Sequence, residues 1–174
     1  LFGTPVSFSS PKDAIAAGVA MVHQHFRLVT KFTVAENFLL GTGGSFDAKH
    51  AAERITELGR EYGLEVDPNA NVWELSVGEQ QRVEILKALD RRARILILDE
   101  PTAVLTPQEA DALFATMRRM ADDGRSVIFI SHKLHEVMKV SDRVTTLRDG
   151  KTVGTVITAE TTSAGLARQM VGRS

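Results

Sequence analysis

Short aliphatic runs alternate with longer amphipathic stretches along this chain of 174 residues. Three aliphatic runs are unbroken and predict buried strands, at residues 19–23, 95–98 and 126–131. The longest amphipathic stretches predict helices over residues 47–64, 79–93 and 107–123. Buried strands that alternate with helices predict an α/β fold with a mostly parallel core sheet.

Local signals mark the ends of several of these elements. Asp47 is suited to N-cap the first long helix. Thr106 and Glu109 have the spacing of a capping box, which predicts the start of the helix at 107. The pair Asp149-Gly150 predicts a type I′ turn in a hairpin over residues 143–156.

Composition excludes several classes of function. Apolar residues make up 43% of the chain and charged residues 25%, as in ordinary globular domains. The formal net charge of −1 gives no electrostatic reason to bind nucleic acid. The absence of cysteine excludes disulfides and thiol catalysis. No apolar run reaches the roughly 18 residues of a membrane span.

Polar residues follow each of the three predicted strands: His23-Gln24, Asp99-Glu100 and Ser131-His132. Ligands of open α/β sheets bind at the carboxyl ends of the strands. An aspartate there can hold Mg²⁺, and a neighbouring glutamate can polarise an attacking water. The set fits a site that hydrolyses a phosphate. Capping of the next turn is the alternative role for Asp99-Glu100.

The stretch LSVGEQQRVEILKAL at 75–89 adds a second kind of site. Ser76 and Gly78 open a long helix and offer an anion a hydroxyl group, free N–H groups and the helix dipole. A simple N-cap would look the same. The stretch resembles the signature motif of ABC-transporter ATPases, usually written LSGGQ.

Four further segments follow the order of that family. Gln24 resembles the Q-loop glutamine, ILILDE at 95–100 the Walker B strand, AVLT at 103–106 the D-loop, and His132 the switch histidine. The resemblance implies a partial P-loop NTPase fold of the ABC type. It divides one truncated domain, 1–174, into RecA-like core parts at 1–34 and 91–174 and a helical subdomain at 35–90. Trp73 and Phe26 are expected to be packing residues of the helical region.

The resemblance also implies roles for individual residues. ATP is sandwiched between two ATPase domains that meet head to tail. Glu100 is expected to be the general base, His132 to contact the γ-phosphate, and Asp99 and Gln24 to hold Mg²⁺. The nucleotide of the partner domain is expected to meet the signature, at Ser76, Val77, Gly78 and Glu79.

Three positions depart from the family pattern. Val77 stands in place of a glycine but keeps its N–H group. Glu79 stands in place of a glutamine and would bring negative charge near a phosphate. Thr106 stands where many D-loops carry aspartate, so the usual D-loop contacts are not assigned to it.

The phosphate-binding loop G-x-x-x-x-G-K-[ST], or Walker A, has no match. The tempting match is GKT at 150–152, but it lies in the predicted hairpin, not between a strand and a helix. We therefore expect a fragment that starts after this loop, at Leu1, and is inactive by itself.

Three sequence segments narrow the resemblance to one group within the family. The signature stretch, HQHF at 23–26 and LARQMVGR at 166–173 resemble the first ATPase domain of simple-sugar or nucleoside importers. This implies a peripheral subunit on the cytoplasmic face of the membrane, coupled to transmembrane permease subunits and indirectly to a solute-binding protein, without nucleic acid.

A DNA-repair or chromosome-maintenance ATPase is one alternative to the importer. Those ATPases insert a long coiled coil where this chain has only about fifty residues, between Gln24 and Leu75. A non-catalytic partner module is the other.

Overall fold

The computed structural model of this chain describes residues 1–40 and 47–172. The glycine-rich break at 41–44 lies outside the described residues. The chain divides into two compact units, Leu1–Ile130 and Ser131–Ser174, which are described separately. The predicted subdomain boundaries near residues 34 and 90 stay a prediction.

The first unit contains a parallel three-stranded sheet in the order β1-β2-β3. Its elements are α1 (Pro11–Ala16), β1 (Val19–Val22), α2 (Val34–Leu39), α3 (Ala48–Tyr62), a 3₁₀ turn (Val72–Glu74), α4 (Val77–Asp90), β2 (Ile95–Asp99), α5 (Pro107–Asp122) and β3 (Ser126–Ile130). Both crossovers between neighbouring strands contain helices, which parallel pairing requires. The predicted α/β fold with a parallel sheet is confirmed.

The two faces of this sheet differ in burial. Leu96 and Leu98 on one face of β2 are buried. On the other face Met21, Ile128 and Ile130 remain 41%, 52% and 49% exposed. The prediction of a buried strand over 126–131 is therefore wrong for β3, because alternate side chains point to a face that the described residues leave open.

Between β1 and β2 the described chain is helical. Helix α2, which the hydrophobic pattern did not identify, begins with a capping box between Thr33 and Glu36. Helix α3 begins at the predicted N-cap, where the Asp47 side chain accepts from the N–H group of His50 at 3.0 Å. Helix α4 begins at Val77, two residues before the predicted start.

The 3₁₀ turn before α4 corrects the expectation for Trp73. This turn buries Val72 completely, and the next side chain, Trp73, faces outward and is 64% exposed. Phe26 is half-buried. Trp73 is therefore a surface residue of the helical segment and not part of its core.

The buried side chain of Tyr62 connects the end of α3 to the residues just before β3 by hydrogen bonds. Tyr62 is 1% exposed, and its hydroxyl donates to Asp123 at 3.0 Å and accepts from Arg125 at 2.6 Å. The hydroxyl of Thr116 in α5 donates to the Tyr62 carbonyl at 3.0 Å. Burial, followed by the neighbouring carboxylates of Glu61 and Asp123, raises the pKa of Tyr62 to about 12. The helical segment is thus hydrogen-bonded to the part of the unit that carries the sheet.

The second unit is a hairpin with helices. It contains α6 (Leu134–Val140), β4 (Arg143–Arg148), β5 (Lys151–Ile157), a 3₁₀ turn (Thr158–Glu160) and α7 (Ser163–Val171). Asp149 and Gly150 have φ angles of 53° and 72°, as a type I′ turn requires. This confirms the predicted hairpin and its turn.

Within residues 1–40 and 47–172, no helix is both long and apolar enough to cross a bilayer.

Candidate functional site

The carboxyl edge of the sheet collects three of the predicted site residues. Asp99 is the last residue of β2 and is half-buried, and Glu100 follows it directly. Gln24 lies two residues beyond the end of β1 and is exposed. Because β1 and β2 are parallel and in register, Val22 beside Leu98, these residues lie at one edge of one sheet. The two strands therefore end at one edge of the sheet, and the roles predicted for the residues that follow them stay a prediction.

Glu100 has an uncommon backbone conformation. Its φ angle is +46°, in the left-handed region that side chains other than glycine seldom adopt. Its N–H group donates to the carbonyl of Ile130 at 3.0 Å, and its own carbonyl accepts from Ala103 at 3.1 Å. The Oε2 atom of its carboxylate is shielded from solvent. Strained residues of this kind concentrate at functional sites, where the surrounding structure holds them.

The N-terminus of α4 carries the signature residues. Ser76 is the N-cap, and its hydroxyl accepts from the N–H group of Glu79 at 3.3 Å. The Glu79 carboxylate in turn accepts from the N–H group of Ser76 at 2.8 Å. The first N–H groups of a helix, here Val77 and Gly78, have no partner within the helix and point toward whatever lies beyond its end.

This capping box bears on the predicted role of Glu79. Its carboxylate folds back onto the helix end and does not point away from it. A negative charge at that place competes with an anionic ligand for the same helix end. The Ser-x-x-Glu spacing of Ser76 and Glu79 is a sequence signal that predicts this arrangement.

Gly78 lies where the start of α5 meets α4. An added Cβ atom at Gly78 would lie 2.5 Å from Oε1 of Glu109, so the Glu109 side chain would have to move to admit a larger residue. Glu109 accepts from the N–H group of Thr106 at 2.8 Å, which confirms the predicted capping box. Hydrogen bonds from the backbone and then the hydroxyl of Thr106 hold the pKa of Glu109 below its usual value.

Gln81 is a contact that the sequence reading missed. Its side chain is buried, and its Nε2 atom donates to the carbonyl of Pro101 at 2.7 Å. Pro101 directly follows Glu100 in the chain. The helix that carries the signature is therefore hydrogen-bonded to the loop that follows the Walker B strand.

His132 lies in the second unit and is exposed. Beside it, the hydroxyl of Ser131 accepts from the N–H group of Lys133 at 3.1 Å and contacts Glu136 at 3.4 Å. The buried Glu136 carboxylate also pairs with the Lys133 ammonium group at 3.3 Å. These bonds order the turn that carries His132, whose catalytic role stays a prediction.

The donors at the sheet edge fit Mg²⁺ only together with a ligand. Across the described residues, no group of three or more His, Asp or Glu side chains could hold a metal ion. Mg²⁺ usually takes one or two carboxylates, and phosphate and water oxygens complete its shell. One carboxylate at Asp99 and one amide oxygen at Gln24 agree with that pattern.

Comparison with known proteins decides the family. Residues 3–103 match the family model described as "ABC transporter". This chain belongs to the ABC transporter family. The match includes Gln24, the signature helix and the Asp99-Glu100 pair.

Relatives within the ABC transporter family are import ATP-binding proteins. Identity is 50% with the glucose import ATP-binding protein TsgD13 of Haloferax volcanii, over 99% of this chain and 37% of that protein. It is also 50% with the nucleoside import ATP-binding protein NupA of Lactococcus lactis, over 97% and 34%. The ribose import ATP-binding protein RbsA 3 of Rubrobacter xylanophilus is 47% identical over 98% and 35%. The chain spans about a third of the length of these relatives.

Solved ATP-binding cassettes share the fold. A dimeric cassette in a post-hydrolysis state with ADP and Pi aligns with a TM-score of 0.68 at 25% identity, over 80% of this chain and 62% of that one. A nucleotide-free cassette of an ABC transporter gives 0.73 at 20% identity, over 86% and 64%. The predicted ABC-type ATPase fold is confirmed.

Proposed function

We propose that this chain provides the signature helix and the Walker B edge of an ATP-hydrolysing ABC importer subunit that serves uptake of a sugar or a nucleoside. The observation that carries the proposal is the common sheet edge of Gln24, Asp99 and Glu100, in a chain whose relatives are named as glucose, ribose and nucleoside import ATP-binding proteins.

Each residue of the candidate site has its own role in hydrolysis. Asp99 and Gln24 would hold Mg²⁺, which would supply charge neutralisation at the phosphates. Glu100 takes a proton from the attacking water, and its left-handed backbone directs the carboxylate. His132 contacts the γ-phosphate, the role that the resemblance gives to the switch histidine. The remaining phosphate contacts come from a Walker A loop, for which this sequence has no match.

The signature acts on the nucleotide of a second ATPase domain in a head-to-tail dimer. The hydroxyl of Ser76 and the N–H groups of Val77 and Gly78 face outward from the helix end and bind its γ-phosphate. Ser76 and Val77 are exposed, as such a role requires. The Glu79 carboxylate weakens this binding because it lies at the same helix end.

An apolar patch on the helical segment serves contact with the permease. Val29, Phe32 and Trp73 are 41%, 39% and 64% exposed. Backbone hydrogen bonds bring them together, because the N–H group of Trp73 donates to Thr30 at 3.1 Å and that of Val72 to Phe32 at 3.0 Å. Val29 and Phe32 of the patch follow Gln24 closely in the chain, so the patch can transmit events at the nucleotide to a permease at the cytoplasmic face of the membrane. The solute-binding protein acts through that permease.

The test substitutes Glu100→Gln in the complete importer, assembled with its permease in lipid vesicles. Loss of the base lowers the rate of ATP hydrolysis by roughly 100-fold, whereas ATP binding persists. Glu160→Gln, at an exposed position of the second unit, is the matched control and keeps the rate. An undiminished rate in Glu100→Gln would remove Glu100 as the base.

A further inference from the structure

The hydrogen bond from Gln81 to Pro101 joins two parts of the site that act on different nucleotides. Gln81 lies five positions after Ser76 on α4 and is 3% exposed. Its Nε2 atom lies 2.7 Å from the Pro101 oxygen, across 20 residues of sequence. Proline has no N–H group, so this carbonyl is the only polar backbone group that Pro101 can use to fix its place.

The turn at Glu100 depends on such external contacts. A φ angle of +46° is sparsely populated for a glutamate and persists only where neighbours hold it. On one side of the turn, the N–H group of Glu100 is bound to Ile130 of β3. On the other side, the carbonyl one residue later is bound to Gln81. The backbone on either side of the Glu100 side chain is therefore held by β3 and by α4.

Helix α4 makes a second contact near the end of the loop that follows Glu100. Gly78, three residues before Gln81, lies against the Glu109 carboxylate in the first turn of α5, the helix that follows this loop. Helix α4 thus contacts the loop over residues 100–106 near its start, through Gln81, and the helix that follows its end, through Gly78. A displacement of α4 along its axis moves both points of attachment.

We propose that Gln81 is a positioning residue for ATP hydrolysis, which makes the direction of the Glu100 carboxylate depend on the position of the signature helix. The inference rests on the proposed function. When the helix end at Ser76 engages the phosphate of the partner domain, α4 carries the Pro101 carbonyl with it. The base of one nucleotide site is thereby aligned by occupation of the other.

The primary experiment substitutes Gln81→Met in the complete importer with its permease in vesicles. Methionine keeps the length of the side chain and removes the donor. We expect kcat for ATP hydrolysis to fall about tenfold, with KM for ATP within about twofold of the wild type, because the base is misdirected and the nucleotide contacts are intact. An unchanged kcat overturns the proposal.

The matched control is Gln80→Met. Gln80 is the neighbouring glutamine on the same helix, and its Nε2 atom donates locally to the carbonyl of Leu75 at 3.1 Å. That bond lies at the start of α4 and does not reach the loop at Pro101. We expect its kcat to stay within about twofold of the wild type, and an equal fall in both variants would show that the effect is not specific to the bond with Pro101.

A double-variant cycle separates positioning from simple loss of structure. If Gln81 acts through Glu100, adding Gln81→Met to Glu100→Gln lowers the single-turnover rate no further. A purely structural role would lower the rate again, by the same factor as in the wild-type background, and would overturn this inference alone. A Glu100→Gln variant with the wild-type rate would overturn the proposed function and this inference together.

A second substitution keeps the test decisive where Gln81→Met fails to fold. Gln81→Glu has nearly the same shape and replaces the donor with an acceptor. We expect its kcat relative to the wild type to rise as the pH falls, because the protonated carboxyl group can again donate to Pro101. A ratio that does not change with pH, in a folded variant, counts against the bond.

Discussion

The N-terminus of α4 and the carboxyl end of β2 carry the two halves of the proposed chemistry, and they are stabilised in different ways. At Ser76 and Glu79 the hydrogen bonds connect residues three apart. At Glu100 they connect residues in different elements, Ile130 and, through Pro101, Gln81. The first site is local and unstrained, whereas the second is strained and depends on its neighbours. The helix end proposed to bind phosphate can thus form with its helix, whereas the proposed base is held only when the strands and helices around it have formed.

Gly78→Ala tests the point where the two regions meet. The new methyl group would lie 2.5 Å from Oε1 of Glu109, so the Glu109 side chain must move and its capping bonds to Thr106 are disturbed. We expect the free energy of unfolding to fall by about 1 kcal/mol, measured by chemical denaturation.

The control for this variant is Gly154→Ala, where an added Cβ atom meets nothing closer than 4.0 Å. Its stability should change by less than about 0.5 kcal/mol. Combining Gly78→Ala with Glu109→Ala should cost less than the sum of the single variants, because the clash disappears. Strict additivity would contradict the contact.

Glu100→Gly and Glu100→Ala, compared with each other, measure the strain at the end of β2. Glycine adopts the left-handed conformation without steric cost, so the Gly variant should be more stable than the Ala variant by about 1 kcal/mol. At Gln80, inside α4, the same pair should give the opposite order. Thermal unfolding measures both differences, and the same order at the two sites would refute the assigned strain.

Ser76→Ala tests the local side of the comparison. Loss of the N-cap should lower the stability by about 1 kcal/mol, whereas Ser76→Gly should lower it by only a few tenths. Both variants lack the hydroxyl, so an equal loss of ATP hydrolysis would assign that loss to the nucleotide contact. If the Ala variant is as stable as the wild type, the cap contributes nothing.

Glu79→Gln should have the smallest effect on stability, less than about 0.5 kcal/mol, because glutamine preserves the capping box. It removes the negative charge at the helix end, so KM for ATP should fall by roughly twofold at low salt and less at high salt. Glu53→Gln, on the exposed side of α3, is the control. A KM that stays constant at low salt would show that the Glu79 charge is not felt by the nucleotide.

The same contrast explains what could be predicted from the sequence. Residues in contact through local spacing, such as Thr106 with Glu109 and Asp149 with Gly150, were predicted correctly, because their signals lie within four residues. The parallel sheet followed from the order of strands and helices. The burial of β3 was predicted wrongly, because an aliphatic run does not reveal whether both faces of a sheet are covered.

For the candidate site too, some features could be predicted from the sequence and others could not. The edge that gathers Gln24, Asp99 and Glu100 follows from parallel strand order and could be predicted. The bond from Gln81 to Pro101 could not, because its partners are 20 residues apart and neither residue type signals a partner. The outward position of Trp73 also depends on how the 3₁₀ turn packs, and periodicity does not describe a turn of three residues.

The hydrogen bonds of Tyr62 cause the helical segment and the sheet to open together in local unfolding. Its carbonyl is bound to α5 and its hydroxyl to Asp123 and Arg125, so the last turn of α3 cannot open without exposing these groups. Amide protons at the end of α3 should therefore exchange with solvent as slowly as those of α5, and Tyr62→Phe should make them exchange faster. Because the folded protein raises the pKa of Tyr62 from about 10 to about 12, the stabilisation is complete below pH 10 and is lost as the pH rises to 12. The helical segment and the sheet would then exchange as independent blocks only in strongly alkaline solution.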